Sequence, residues 1–285
     1  MAAWLILLKN IMTDSPELSL LLDLLGKKEK LAAMLAPSFP IDFPFPDVIG
    51  KLKRAGFSYA VEVSRGAVET NKQVVQELKS DPLKRIIASP CPSLVRYIKA
   101  QRPELLPFLS QADSPMTASA KLVRQKFPGA RPVFIGPCLV KKLEAKDYPD
   151  LNILAITFKE LFVLFERLKI DGSTEDFVTN FDLLTAHTRL YPISGGLCQS
   201  AGIKELLTDE EFRVVSGLDQ FEPVLDEFVK NKSIRLVDVL FCPGGCVGGP
   251  GIKSTDSLEQ RRQRVVKFWV TYQSASKDNH NLQAV

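Results

Sequence analysis

Three short segments of this chain set cysteines directly behind apolar, β-type runs and flank them with proline and glycine. They are Ser89-Pro90-Cys91-Pro92, Gly136-Pro137-Cys138, and Cys242-Pro243-Gly244-Gly245-Cys246 with Val247-Gly248-Gly249-Pro250-Gly251 behind it. A thiol in such a turn sits where a strand ends, so four thiols from distant segments meet only if the fold gathers its strand ends on one side. The wide spread argues against a zinc ribbon, whose ligands come as two close pairs; only Cys242 and Cys246 are near neighbours. Four thiolates collected by the fold are the donor set of a cubane [4Fe–4S] cluster. The glycines around the last pair let backbone amides approach sulfur. The alternative is four unrelated buried thiols, since free cysteine is among the most buried residue types.

The runs between the loops alternate between strand and helix patterns. Strands are expected over Leu31–Leu35, Tyr59–Val63, Arg85–Ala88, Pro132–Ile135, Asn152–Ala155, Phe212–Ser216 and Leu236–Phe241. Helices are expected over Asp47–Ala55, Val68–Lys79, Leu94–Ala100, Phe158–Lys169, Glu222–Lys230, and from Gly196 through Leu207. Ser15-Pro16-Glu17 reads as a helix start, with Ser15 as cap and Pro16 at the first position. Strand, ligand loop, helix, repeated, implies an α/β architecture: two lobes of mostly parallel sheet flanked by helices, with the metal group in the cleft between them. The polar turn at Asp171-Gly172-Ser173-Thr174-Glu175-Asp176 is the expected hinge, near 171–176. The division that follows is a helical extension over 1–29, the two-lobed domain over 30–265, and a helix end with a polar tail over 266–285.

Composition excludes several classes. The 285 residues carry a net charge of +4 without a long Lys/Arg run, so nothing points to nucleic acid. Lys51 to Arg54 and Arg261 to Arg264 read as solvated helix faces. No stretch of about 18 apolar residues suggests a membrane span, and the apolar run Trp4 to Leu8 lacks the flanks of a signal peptide. Five cysteines without paired spacing are not a secreted disulfide scaffold. A cytoplasmic protein with reduced thiols is expected. Of the two histidines, His280 falls in the polar tail and His187 reads as a core residue; Cys198 reads as a pocket or core residue outside the ligand set.

Taken in order and spacing, the loops resemble the catalytic domain of the iron-only ([FeFe]) hydrogenases, over roughly residues 30 to 265. That family's signatures have the forms T-S-C-C-P, M-P-C-x-x-K-x-x-E and C-x-x-x-C with a glycine-rich follower. The second stands here as Pro137-Cys138-Leu139-Val140-Lys141-Lys142-Leu143-Glu144 and the third as Cys242-Pro243-Gly244-Gly245-Cys246-Val247-Gly248-Gly249. The resemblance implies that Cys91, Cys138, Cys242 and Cys246 hold the cubane, with Cys246 bridging to a diiron centre that carries CO, cyanide and a dithiolate. It implies that Lys141 donates to a cyanide, a charge-assisted bond; otherwise Lys141 is a surface lysine. It places Ala36, Pro37 and Ser38 against the dithiolate and Ser114, Pro115, Gly195 and Gly196 in pocket segments. Tyr191 stands where the family often has an aromatic, or is simple core.

The departures are as informative. The first cysteine of T-S-C-C-P is the family's proton donor, and Pro90 takes its place. Counting back without gaps, the two relay glutamates fall on Thr70 and Gln73, with Glu69 and Glu77 nearby; of the relay only Ser110 is kept. Gly136 and Leu240 replace signature methionines. No cysteine-rich ferredoxin-like run precedes Cys91, so electrons would come from a separate carrier such as a ferredoxin, a signalling partner would read the centre, or the chain is a shortened member. The resemblance therefore implies an oxidoreductase of H₂ and protons with impaired proton transfer, of a slow, sensory and anaerobic kind. The alternative is a non-catalytic [4Fe–4S] protein of redox sensing or iron–sulfur assembly that has lost the diiron site.

Overall fold

The computed structural model describes residues 15–172 and 179–273. Most of the expected hinge, the run Trp4 to Leu8 and His280 lie outside those residues. The chain forms two parallel sheets. In the first lobe, β1 (Leu31–Leu35), β2 (Tyr59–Glu62), β4 (Arg131–Gly136) and β5 (Leu154–Thr157) take the order β2-β1-β4-β5. In the second, β3 (Ile86–Ile87), β6 (Phe212–Ser216) and β7 (Leu236–Leu240) take the order β3-β7-β6. Every ladder between these strands is parallel, with Leu35 opposite Ile135 and Val237 opposite Ile87. All residues of β1 and β7 are buried, as expected of central strands covered on both faces. The second sheet is not a C-terminal half: β3 precedes the first-lobe strands β4 and β5 in sequence, yet it pairs with β7.

Helices cover both sheets. In the first lobe α1 (Pro16–Gly26) is capped by Ser15, whose Oγ accepts from the Leu18 amide, and it buries Leu18, Leu21 and Leu24. The helix α2 (Asp47–Arg54) lies where expected. The next, α3 (Ser64–Ser80), begins four residues before the expected start. It packs on α5 (Pro115–Lys126), a helix the pattern did not give. Gly66 makes the crossing possible, because a Cβ there would lie 2.5 Å from Pro115 O. The remaining helices are α4 (Pro92–Gln101), α6 (Lys141–Asp147), α7 (Phe158–Arg167), α8 (Gly196–Ser200), α9 (Leu218–Lys230) and α10 (Leu258–Thr271).

Two expectations shift for local reasons. The helix expected from Gly196 through Leu207 breaks at Gly202, which adopts φ +64°, and resumes as a short 3₁₀ turn over Ile203–Glu205. The strand expected at Asn152 starts at Leu154, because Asn152 is itself left-handed at φ 49°. His187 is exposed, not a core residue. Nor is Arg261 on a freely solvated face: it donates to the carbonyls of Val247 and Ser254, tying α10 to the third cysteine loop.

Candidate metal centre

The three cysteine loops leave the C-terminal ends of β3, β4 and β7 and meet between the lobes. Cys91 stands at the N-terminal cap position of α4, with the backbone of Phe241 and Leu94 against its sulfur. Cys138 follows β4. The third loop is pressed onto the second: Gly251 donates to Pro137 O at 2.8 Å, and a Cβ at Gly249 would lie 2.7 Å from that oxygen. On its other side the third loop pairs with residues 192–194. Val247 donates to Pro192 O and Ser194 to Gly244 O, both at 3.3 Å. That is the role of the Ser194-Gly195-Gly196 segment. It props the Cys242–Cys246 turn from behind, and neither Gly195 nor Gly196 lines the cavity described below.

Cys91, Cys242 and Cys246 each feel neighbouring thiols. Burial raises the pKa of Cys91, and the neighbouring Cys138 raises it further, against those two backbone contacts and Lys141. Burial, Cys91 and Cys138 push Cys242 up to about 11. Cys246 is raised well above its ordinary value by burial and by the other three together. Cys198 lies apart; its thiol is buried and its partner is Asp238. Among the described residues no three His, Cys, Asp or Glu side chains form a single-ion site. Four thiols are the set a cubane requires.

Beside the thiols lies a narrow cavity of about 70 Å³. Ala36, Pro37, Ser38, Pro115, Lys141 and Tyr191 line it, together with Cys138 and Cys246. The wall is almost wholly apolar, yet two hydroxyls in it, Ser38 Oγ and Tyr191 Oη, are buried without a hydrogen-bond partner among the described residues. A buried unpaired hydroxyl costs about 1–3 kcal/mol. Sequence reasoning passed over Phe134 and Met116, which also line the cavity. The Phe134 ring fills the place a side chain at Gly136 would take, with a Cβ there only 2.6 Å from the ring. The missing methionine at 136 was the available signal.

Lys141 is 8% exposed, with two hydrogen bonds and one ion pair at its ammonium. Nζ lies 3.3 Å from Pro90 O, 3.2 Å from Ser114 Oγ and 2.6 Å from Glu144 Oε2. Ser114 thus stands behind Lys141 and does not line the cavity. Ser110 lines a separate polar cleft with Ser89, Ser114 and Glu144. Ser110 Oγ donates to Glu77 Oε1 at 3.1 Å, and Ser89 Oγ donates to Ser110 O at 2.8 Å. Gln73 faces elsewhere, paired with Asp113 through both its amide atoms.

A cytosolic Fe-S cluster assembly factor, NAR1 of Encephalitozoon cuniculi, is 28% identical over 61% of this chain and 54% of its own length. The periplasmic [Fe] hydrogenase large subunit of Nitratidesulfovibrio vulgaris is 25% identical over 72% of this chain and 61% of its own. The chain spans about half the length of the curated relatives it matches. An apo form of the [FeFe]-hydrogenase HydA1 from Chlamydomonas reinhardtii superposes with a TM-score of 0.59 at 19% identity, covering 84% of each chain. An [FeFe]-hydrogenase structure from work on oxygen inactivation reaches 0.60 at 17%, over 88% of each. These two likenesses carry the fold. The domain described as "Iron only hydrogenase large subunit, C-terminal domain" matches residues 29–250, most of the chain, and the protein belongs to that family.

Proposed function

We propose that this chain is an iron–sulfur protein that holds one [4Fe–4S] cluster through Cys91, Cys138, Cys242 and Cys246. The observation that carries the reading is the influence of neighbouring thiols on Cys91, Cys242 and Cys246, within a set delivered by three loops of two lobes. A cubane placed there supplies one-electron storage. The chain's own contribution is to fix the sulfurs at strand ends, to bring the backbone of Phe241 and Leu94 against Cys91, and to set the Lys141 ammonium against the buried negative charge.

The adjoining cavity is proposed to take a second polar group of the diiron type, with CO, cyanide and dithiolate ligands. The unpaired Ser38 and Tyr191 hydroxyls and the nearby Lys141 support it, as anionic ligands need such donors. Proton delivery from this chain is weak, because Pro90 carries no acid and Thr70 spends its hydroxyl on Gly66 O. Slow or sensory H₂ and proton chemistry in the cytoplasm, with electrons from a separate carrier, follows from that reading. The second reading is a non-catalytic cluster protein akin to the assembly factors. Lys141 favours it, since its ammonium already donates to Pro90 O and Ser114 Oγ and its charge is paired with Glu144.

Anaerobic reconstitution with iron and sulfide, followed by incubation with the diiron precursor and infrared spectroscopy, separates the two. Cluster with CO and cyanide bands supports the first reading, cluster without them the second, and no bound iron overturns both.

A further inference from the structure

Behind the Tyr191 wall the second lobe buries an acid. Asp238 occupies the middle of β7, a central strand in which every residue is buried, and an unpaired carboxylate is costly there. Strand alternation puts Leu236, Asp238 and Leu240 on one face. Leu240 lines the cavity, so Asp238 stands two residues, roughly 7 Å, beneath it.

The groups facing Asp238 are few. The thiol and the amide of Cys198, from α8, both hydrogen-bond to its carboxyl, while Oδ2 has no partner among the described residues. Tyr191 Oη, also unpartnered, feels Asp238, Cys198 and Cys246 at once. On β6 the residue opposite is Val214, and the neighbouring Arg213 is spent on Glu227 at 2.6 Å. On β3 the paired residues are Ile86 and Ile87. No cation among the described residues offsets the acid, and burial pushes its pKa up to about 6.

We propose that Asp238 is a proton-acceptor site coupled to the electron count of the metal centre, a role that rests on the iron–sulfur reading above. When the cluster gains one electron from a one-electron carrier, the Asp238 carboxylate takes one proton from solvent and becomes the acid. When the electron leaves, the proton returns to solvent. Electron and proton balance, and the net charge of the buried region is unchanged. The added negative charge lies beyond Tyr191 and Cys246; Lys141, already paired with Glu144, faces it from the first lobe, and among the described residues no cation acts on Asp238, so Asp238 takes up the compensating proton.

The test is the midpoint potential of the reconstituted full chain, followed by electron paramagnetic resonance during dithionite titration across about pH 5 to 8, with iron and sulfide measured on the same samples. In the wild type the potential should fall with rising pH above about 6, at a slope approaching 59 mV per tenfold change in proton concentration. Asp238→Asn should hold the same iron with a flat profile. Cys198→Ala removes one donor to the carboxylate and should keep the slope with its onset at higher pH. A loaded wild-type cluster whose potential ignores pH, or an Asp238→Asn protein that keeps the wild-type slope, overturns the proposal. A wild-type preparation without cluster overturns the iron–sulfur reading itself and is recognised by its iron content.

Discussion

Lys141 reaches 3.3 Å across to the carbonyl oxygen of Pro90, so one ammonium joins the loop of Cys138 to the loop of Cys91. The same group neutralises Glu144 at 2.6 Å in a setting where both residues are 8% exposed. Lys141→Met should strand Glu144 and cost about 3 kcal/mol in urea unfolding of the apo protein. Lys141→Met with Glu144→Leu should recover most of it, because no buried charge is then left unpaired.

Cluster content should separate the cysteines. Cys91→Ser and Cys138→Ser should lose bound iron and the stability it confers, since a site built from distant segments turns binding energy into folding energy. Cys198→Ser should keep wild-type iron, its thiol being engaged with Asp238. Iron and sulfide assays after anaerobic reconstitution read the difference.

Asp238 also predicts a pH dependence of stability. Its pKa in the fold is about 6, above the ordinary 3.8. The stabilising contribution of the proton is therefore complete below about pH 4 and is lost as pH rises through 6. A shift of about two units corresponds to roughly 3 kcal/mol. Asp238→Asn should be more stable than wild type at pH 7 to 8, and the gap should close toward pH 4. Denaturant melts at stepped pH check the sign as well as the size.

The geometry also says how a proton path would be rebuilt. Ser110 already bonds Glu77 at 3.1 Å, and Gln73 is locked to Asp113. Gln73→Glu would set two carboxylates against each other and should not help. Pro90→Cys with Thr70→Glu should raise H₂ evolution from reduced viologen more than the two single changes together, because groups that act as a relay are non-additive. Removing the family's donor typically costs about 10²–10⁴-fold, so wild-type turnover equal to that of relay-intact enzymes would contradict this account.

The local part of the fold was legible in the sequence because strands and their end loops carry their own punctuation. An apolar run that stops at Gly136-Pro137 or at Cys242-Pro243 is a strand end wherever it lands. The Ser15 cap and the strands over Leu31–Leu35 and Phe212–Ser216 were likewise written in neighbouring residues. What escaped depends on contacts between distant segments. Nothing near Ile86 says that it will pair with Leu236, and nothing near Glu77 says that Ser110 will come to it. Phe134 looks like any strand phenylalanine until the missing side chain at Gly136 turns its ring into cavity wall. Asp238 is the single polar residue of the apolar run Leu236–Leu240, and only a sheet covered on both faces makes it an isolated acid.

The pairing of β3 with β7 sets an order of events during synthesis. Residues 86 to 101 must wait, as an unpaired strand and an orphan helix, until residues 236 to 240 have been made some 150 positions later. The first lobe has all four of its strands by residue 157 and can close while the second is still incomplete. On the proposed ligand set, Cys91 and Cys138 would wait through much of translation for Cys246 before a four-thiol cluster could be held, and a nascent chain stalled before residue 236 would be the form most open to oxidation.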